Sequence, residues 1–143
     1  MTRPSCVVQV WDLPAEPRPR FTPQAGIGSM LRQPSNAVGL THMGVNVRSV
    51  EPGMASTNRH FHTVEEEWVY VLGGHGVVRI GPLRLAIRAG SFVGFPPGPR
   101  PHHFIAAGQE PLLLLEGGEI NPDEVITYPD AGVRRVHGRI EPF

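Results

Sequence analysis

The stretch His60-Phe61-His62-Thr63-Val64-Glu65-Glu66-Glu67, followed by Trp68-Val69-Tyr70-Val71-Leu72 and the turn Gly73-Gly74, decides how this chain is read. Two histidines stand at i and i+2. In a β-strand alternate side chains share a face, so both imidazoles reach one point in space. Glu67 follows a polar connection and heads a second strand of β-branched and aromatic residues. Two neutral nitrogens and one anionic oxygen converging from a hairpin make half of a divalent-metal site. Along the second strand Glu67, Val69 and Val71 share one face, and Trp68, Tyr70 and Leu72 share the other.

The residues around this stretch read as short strands cut by turns. Val45 and Val47 alternate with Asn46 and Arg48, and Glu51-Pro52-Gly53 turns the chain toward His60. After Gly73-Gly74-His75-Gly76 come strands at 77–80, 83–87 and 91–95, separated by Gly81-Pro82 and Ala89-Gly90. The run Pro96-Pro97-Gly98-Pro99-Arg100-Pro101 cannot sit in a central strand, because proline cannot donate to a ladder. It is a loop that hands over to His102-His103-Phe104-Ile105. Leu112 to Leu115 is an uninterrupted apolar strand, expected to be buried on both faces. A weaker strand surrounds 125–128, and an Arg-bearing tail follows. Upstream, Val7 to Trp11 has strand composition. Residues 14–37, with Pro14, Pro17, Pro19, Pro23 and Pro34, keep no period and read as an extended arm or a loop. No helix is expected. The whole reads as all-β, a sandwich or barrel.

Composition narrows the function classes. The chain has 143 residues, enough for one domain with its own core. Its 13 basic and 13 acidic residues balance, so no basic excess favours nucleic acid or a membrane surface. All the basic residues are arginine; without lysine there is neither Schiff-base chemistry nor a P-loop lysine. The single Cys6 forms no internal disulfide, and no apolar run is long enough for a membrane span or a signal peptide. A soluble cytoplasmic protein is the expectation.

The spacing of these residues resembles the cupin superfamily, in particular its small single-domain, cupin-2-like metal-binding members. The first motif of that family runs G-x5-H-x-H-x3-4-E-x6-G. Gly53, His60, His62, Glu67 and Gly74 fit it, with one extra residue before His60. The spacing from the carboxylate to Gly74 selects Glu67 over Glu66. The second motif runs G-x5-P-x-G-x2-H-x3-N. Gly90, Pro96, Gly98 and His102 fit it, with one extra residue before His102 and Ala106 in place of the asparagine. The resemblance covers roughly residues 39–118. It implies a double-stranded β-helix, the cupin jelly-roll barrel, with an extended N-terminal arm. The organisation is then an N-terminal strand and Pro-rich arm at 1–38, a barrel at 39–128 and a tail at 129–143. It further implies one metal held by His60, His62, Glu67 and His102. Three imidazoles and a carboxylate suit Fe, Mn, Ni, Zn, Co or Cu, and ligand type does not choose among them.

Within that resemblance a metalloenzyme acting on a small molecule is the first expectation. Two chemistries compete. One is dioxygenase-type oxygen chemistry; the other is isomerisation or epimerisation of a sugar or sugar phosphate, which needs a proton-shuttling base. Glu116 and His42 are the only weak candidates for that base, which leans the reading toward oxygen chemistry. A non-catalytic small-ligand-binding module is the further alternative. Arg100, in the altered loop, is a candidate anion clamp, and Phe104 and Tyr70 are candidate substrate contacts. Glu65 and Glu66 read as a solvated acidic turn, and His103, next to a proposed ligand, as a surface or interface residue on the opposite face. A homodimer is expected, with outward apolar residues such as Trp68 and Leu72 available to it.

Overall fold

Apolar alternation interrupted every few residues by glycine or proline produces thirteen short strands among the described residues. A computed structural model describes residues 5–17 and 26–143. One curved sheet has the order β1 (Glu16–Pro17), β2 (Ser29–Arg32), β3 (Met43–Val50), β10 (Leu112–Glu119), β5 (Glu67–Gly73), β8 (Phe92–Phe95). A second joins β7 (Leu83–Arg88), β6 (His75–Ile80) and β9 (His102–Ala107). A third joins β13 (Arg139–Pro142), β12 (Val133–Val136), β11 (Val125–Tyr128) and β4 (Phe61–His62). Isolated bridges from Ala55 to Ile105 and from His60 to His102 stitch the second and third sheets into one wall. All the named strand pairs are antiparallel.

The two walls close on one apolar core. Val50, Val69, Val71, Leu112 and Leu114 from the large sheet meet Val78, Phe104 and Ala106 from the other. Each buried valine, leucine or phenylalanine among them contributes about 1.5–3 kcal/mol. The alternation read from Glu67 to Leu72 holds: Val69 and Val71 are fully buried, while Tyr70 and Leu72 are 41% and 43% exposed. Of the β10 leucines, Leu112 and Leu114 are fully buried. Leu113 and Leu115 are half-covered, so the strand is not buried on both faces as expected. Gly74, the last glycine of the first motif, has φ +84 and lies where a Cβ would meet the Pro111 carbonyl oxygen at 2.4 Å. Any side chain there meets both a left-handed backbone and an overlap with neighbouring main chain.

The N-terminal segment departs from its reading. Val10–Asp12 is a single 3-10 turn and no strand forms at Val7, because no strand among the described residues pairs with it; Val7 is 75% exposed. Part of the expected arm folds back onto the barrel. Glu16 and Pro17 pair with Leu31 and Met30, Arg32 Nε donates to the Leu13 carbonyl at 3.2 Å, and its guanidinium lies over Trp11. Pro19 and Pro23 lie outside the described residues. One helical turn, α1 (Pro34–Ala37), interrupts the predicted helix-free pattern, with proline in its first turn where no N–H is needed. Residues 129–143 are more than a tail: β12 and β13 form a hairpin that extends the third sheet. Among the described residues no helix is long and apolar enough to cross a membrane.

Candidate metal centre

Three elements deliver four donors to one end of the barrel. His60 and His62 come from the segment ending in β4, Glu67 opens β5, and His102 opens β9. One ligand atom from each lies within 4.8 Å of the others. Glu67 Oε2 is 2.9 Å from His102 Nε2 and 3.2 Å from His62 Nε2. The strand period explains His60 beside His62, and the bridge between His60 and His102 explains the third imidazole. The sequence-predicted set is thus brought together in full.

Neighbouring groups set the orientation of each donor. His60 Nδ1–H donates to the Asn58 carbonyl at 3.0 Å, which leaves Nε2 with its lone pair toward the cluster. Phe95 stacks on the His102 ring at 3.6 Å between centroids and 8° between planes. The connection between β4 and β5 is held by Glu124, whose carboxylate accepts backbone N–H bonds from Thr63 at 2.6 Å, from Val64 at 3.2 Å and from Glu65. Three successive N–H groups on one carboxylate fix the loop that spaces His62 from Glu67. Glu65 is not a solvated turn residue. Its side chain is mostly buried, accepts the Asn121 N–H at 2.7 Å and lies 3.6 Å from His62 Nδ1.

Burial pulls His60 down to about 3, helped by the like charges of His102 and His62 and opposed by Glu67. Burial pushes Glu67 up, but hydrogen bonds with His102 and His62 outweigh it and hold the carboxyl well below the usual range. Burial also lowers His62, yet Glu67, Glu124 and Glu65 together leave its pKa raised. The donors fit a first-row divalent ion on chemistry and on geometry. Half-buried His62 has only the Glu67 oxygen, 3.2 Å from Nε2 and shared with His102, and no hydrogen-bond partner at Nδ1 among the described residues.

A pH dependence follows for the protein stripped of metal. His60 unfolded takes a proton near 6.5, and folded only near 3. Between those values the unfolded state binds more protons, so stability falls with acid by up to about 1.4 kcal/mol per pH unit. The depressed Glu67 adds to this at lower pH. The raised His62 contributes in full below its ordinary 6.5 and loses that contribution as pH rises through the folded pKa, so it adds no slope on the acid side. Denaturant unfolding from about pH 7 to about pH 4, set beside a His60→Leu variant, reads the slope. Equal slopes in the two proteins would remove His60 as its source.

The cluster opens into a cavity of about 230 Å³. Its polar lining includes Gln33, Asn46, Arg48, Glu116, Tyr128 and Arg135 beside the four donors. Arg48 and Glu116 are buried and paired: Arg48 Nε to Glu116 Oε2 is 2.7 Å and Nη2 to Oε1 is 3.1 Å. Arg48 Nη1 also donates to Ser29 Oγ at 2.8 Å and the Ser56 carbonyl at 3.3 Å. Glu116 faces Val69 on β5, two residues along from Glu67. That diagonal relation brings the two carboxylate-bearing residues within roughly 7–8 Å. Gly118, between Gly44 and Glu67 in register, adds no side chain there, and a Cβ on it would meet the Glu66 carbonyl at 2.9 Å.

The remaining predicted contacts separate. Phe104 is buried and forms cavity wall. Arg100 is exposed on a second chamber that also touches His62 and His102. Tyr70 points outward from β5, opposite to Glu67, and lines none of the cavities described. His42, one of the weak base candidates, is exposed and lines none of them either. His103 has the opposite strand parity to His102, yet it is not on the surface: it is buried and lines the same cavity as the donors. The segment beside β9 covers it, and its Nδ1 bonds the Thr57 carbonyl at 2.9 Å.

A sequence model of the cupin domain matches residues 46–117, half of the chain. The chain is a cupin. No curated protein matches this cupin by sequence. Among solved structures it is similar to a protein of Acidithiobacillus ferrooxidans proposed to be a sugar phosphate isomerase. Identity is 33%, the TM-score is 0.83, and the match covers 94% of this chain and 86% of the other. It is also similar to a cupin-superfamily sugar phosphate isomerase of Silicibacter pomeroyi, at 25% identity and TM-score 0.82 over 94% and 90% of the two chains. The polyketide cyclase RemF of Streptomyces resistomycificus shares the fold at 19% identity and TM-score 0.65, over 80% and 79%.

Proposed function

We propose that this cupin is a metal-dependent isomerase of a small sugar or sugar phosphate. The observation that carries the reading is Glu116: a buried carboxylate on the wall of the donor cavity, diagonal to Glu67 and held by Arg48. The sequence-level preference for oxygen chemistry rested on the lack of a placed base. Glu116 removes that ground. The two similar structures bearing the name sugar phosphate isomerase support the same choice.

His60, His62, Glu67 and His102 would hold a divalent ion, whose Lewis acidity polarises substrate oxygens. Aldose–ketose isomerisation moves one proton between adjacent carbons and one between their oxygens, and it consumes no oxidant. Glu116 takes the carbon proton and returns it to the neighbouring carbon. The bonds from Arg48 fix its orientation, and Tyr128 and Phe104 form part of the cavity wall. Asn46, directly opposite Glu116 across the ladder, offers a neutral donor and acceptor to a substrate hydroxyl.

The test incubates the metal-loaded protein with a panel of aldoses and aldose phosphates in heavy water. Proton NMR follows deuterium at the carbon next to the carbonyl while an oxygen electrode runs in parallel. Ketose formation with deuterium uptake and no oxygen consumption is expected. Oxygen uptake without exchange would replace this reading with dioxygenase chemistry. Ligand binding without either would make the protein a binding module.

A further inference from the structure

We infer that Arg135 anchors the anionic end of the substrate, so that the cavity selects a phosphorylated sugar over the free sugar. The inference deepens the isomerase reading and rests on it only for the nature of the chain that joins the two ends.

Arg135 lies on β12, in a sheet whose rows are fixed by register. His62 on β4 is opposite Ile126 on β11, and Ile126 is opposite Arg135. Residues directly opposite one another share a face, so Arg135 projects on the same side as His62. His62, Ile126 and Arg135 all line the donor cavity. Two strand spacings separate the backbones of His62 and Arg135 by roughly 10 Å. That is the span of a small molecule with one end at the donors and the other at the guanidinium.

The contrast with the neighbouring arginines is the second observation. Arg134, on the outer face, pairs with Glu141 at 2.8 Å. Arg48 is committed to Glu116, and Arg59 to Asp130. Arg135 is half-buried, and among the described residues its side chain makes no hydrogen bond or ion pair. Glu65 and Glu124 share an adjoining pocket with it, yet neither is paired with it: both Glu124 oxygens accept N–H groups of residues 63–65, and Glu65 accepts the Asn121 N–H on Oε1 and turns Oε2 toward His62 at 3.6 Å. A partly desolvated guanidinium with its fork of donors unused fits a phosphate, which it can grip through two parallel bonds. The hairpin carrying it is fixed near the centre. The bidentate pair of Arg59 with Asp130, at 2.8 and 2.9 Å, joins the residue before His60 to the turn between β11 and β12.

The test uses sorbitol phosphate and sorbitol, which carry no carbonyl and do not turn over. Calorimetry measures each on the metal-loaded protein, wild type, Arg135→Gln and Arg135→Lys. Wild type is expected to bind sorbitol phosphate about tenfold to a hundredfold more tightly than sorbitol, the range of a charge-assisted bond. Arg135→Gln erases the difference without changing metal content, and Arg135→Lys keeps part of it. No preference in the wild type, or the same preference in Arg135→Gln, would overturn the assignment. Because binding is read without turnover, loss of the preference in Arg135→Gln stands even where no isomerisation is found. Isomerisation with an intact preference in Arg135→Gln would leave the enzyme reading and discard the anchor.

Discussion

Elemental analysis of the purified protein is expected to find close to one transition metal ion per chain, and a His60→Ala/His102→Ala variant is expected to hold none. The double substitution leaves His62 and Glu67 as the only donors. Removing an outer partner of a metal ligand already costs about tenfold to a hundredfold in affinity, so removing two ligands takes the loss beyond that range. The proton exchange proposed for this cavity is expected to fall with it to the uncatalysed level. The two histidines do different work for the fold, which helps interpretation. His102 is sandwiched against Phe95, and its loss opens a void beside the core. His60 hangs from the Asn58 carbonyl, and its loss frees that oxygen. A Glu67→Gln variant therefore accompanies the pair. It keeps the shape and removes the one anionic donor, so it separates loss of metal from loss of packing. Metal retained in the double variant would place the ion elsewhere. No metal in the native protein, even after reconstitution with each candidate ion, would leave the cluster a hydrogen-bonded one and end the isomerase reading.

The four donors were legible because their signal is local and periodic. Two histidines two apart, a carboxylate five residues on and glycines at turn positions depend on strand parity and backbone freedom alone. The cavity was far less legible. Alternation in β3 and β10 is ordinarily read with apolar residues inside. Here Asn46, Arg48 and Glu116 face inward above Val50, Leu112 and Leu114. Only their shared parity with those residues marks them, and that signal makes sense once the pairing of Arg48 with Glu116 is known. Glu124 binds a loop some 60 residues away in the chain, a contact that no local pattern encodes. The strand expected at Val7 failed for a related reason: β-propensity supplies no partner. His103, expected at a surface or interface, is buried and lines the donor cavity, because the Thr57 carbonyl that holds its ring comes from a segment distant in the chain rather than from its own strand. The hairpin of residues 133–142 was hidden by its arginines, which lower the apolar signal while one of them points into the cavity.

Cutting the buried pair of Arg48 and Glu116 is expected to destabilise the protein by about 3–5 kcal/mol, since either single truncation leaves an uncompensated buried charge. Arg48 is 7% exposed and Glu116 8%, and four guanidinium bonds join β2, β3, β10 and the segment before His60. Denaturant unfolding of Arg48→Ala and Glu116→Ala measures the loss. An Arg48→Met/Glu116→Leu double variant should recover most of it, because an apolar pair of similar volume removes both charges together. That recovery isolates the chemistry. A protein as stable as the wild type, with its metal intact, should still have lost proton exchange by about a hundredfold or more, the usual contribution of a placed base. Glu116→Gln sharpens the point, for it keeps the shape and gives up the basic oxygen. If the double variant is stable and still exchanges protons at the native rate, Glu116 is structural and the base lies elsewhere in the cavity. If exchange is lost while metal and stability remain, the ion pair is there to present a carboxylate to substrate. The stability penalty of breaking it is then a consequence of burying a reactive group where an apolar core would otherwise continue.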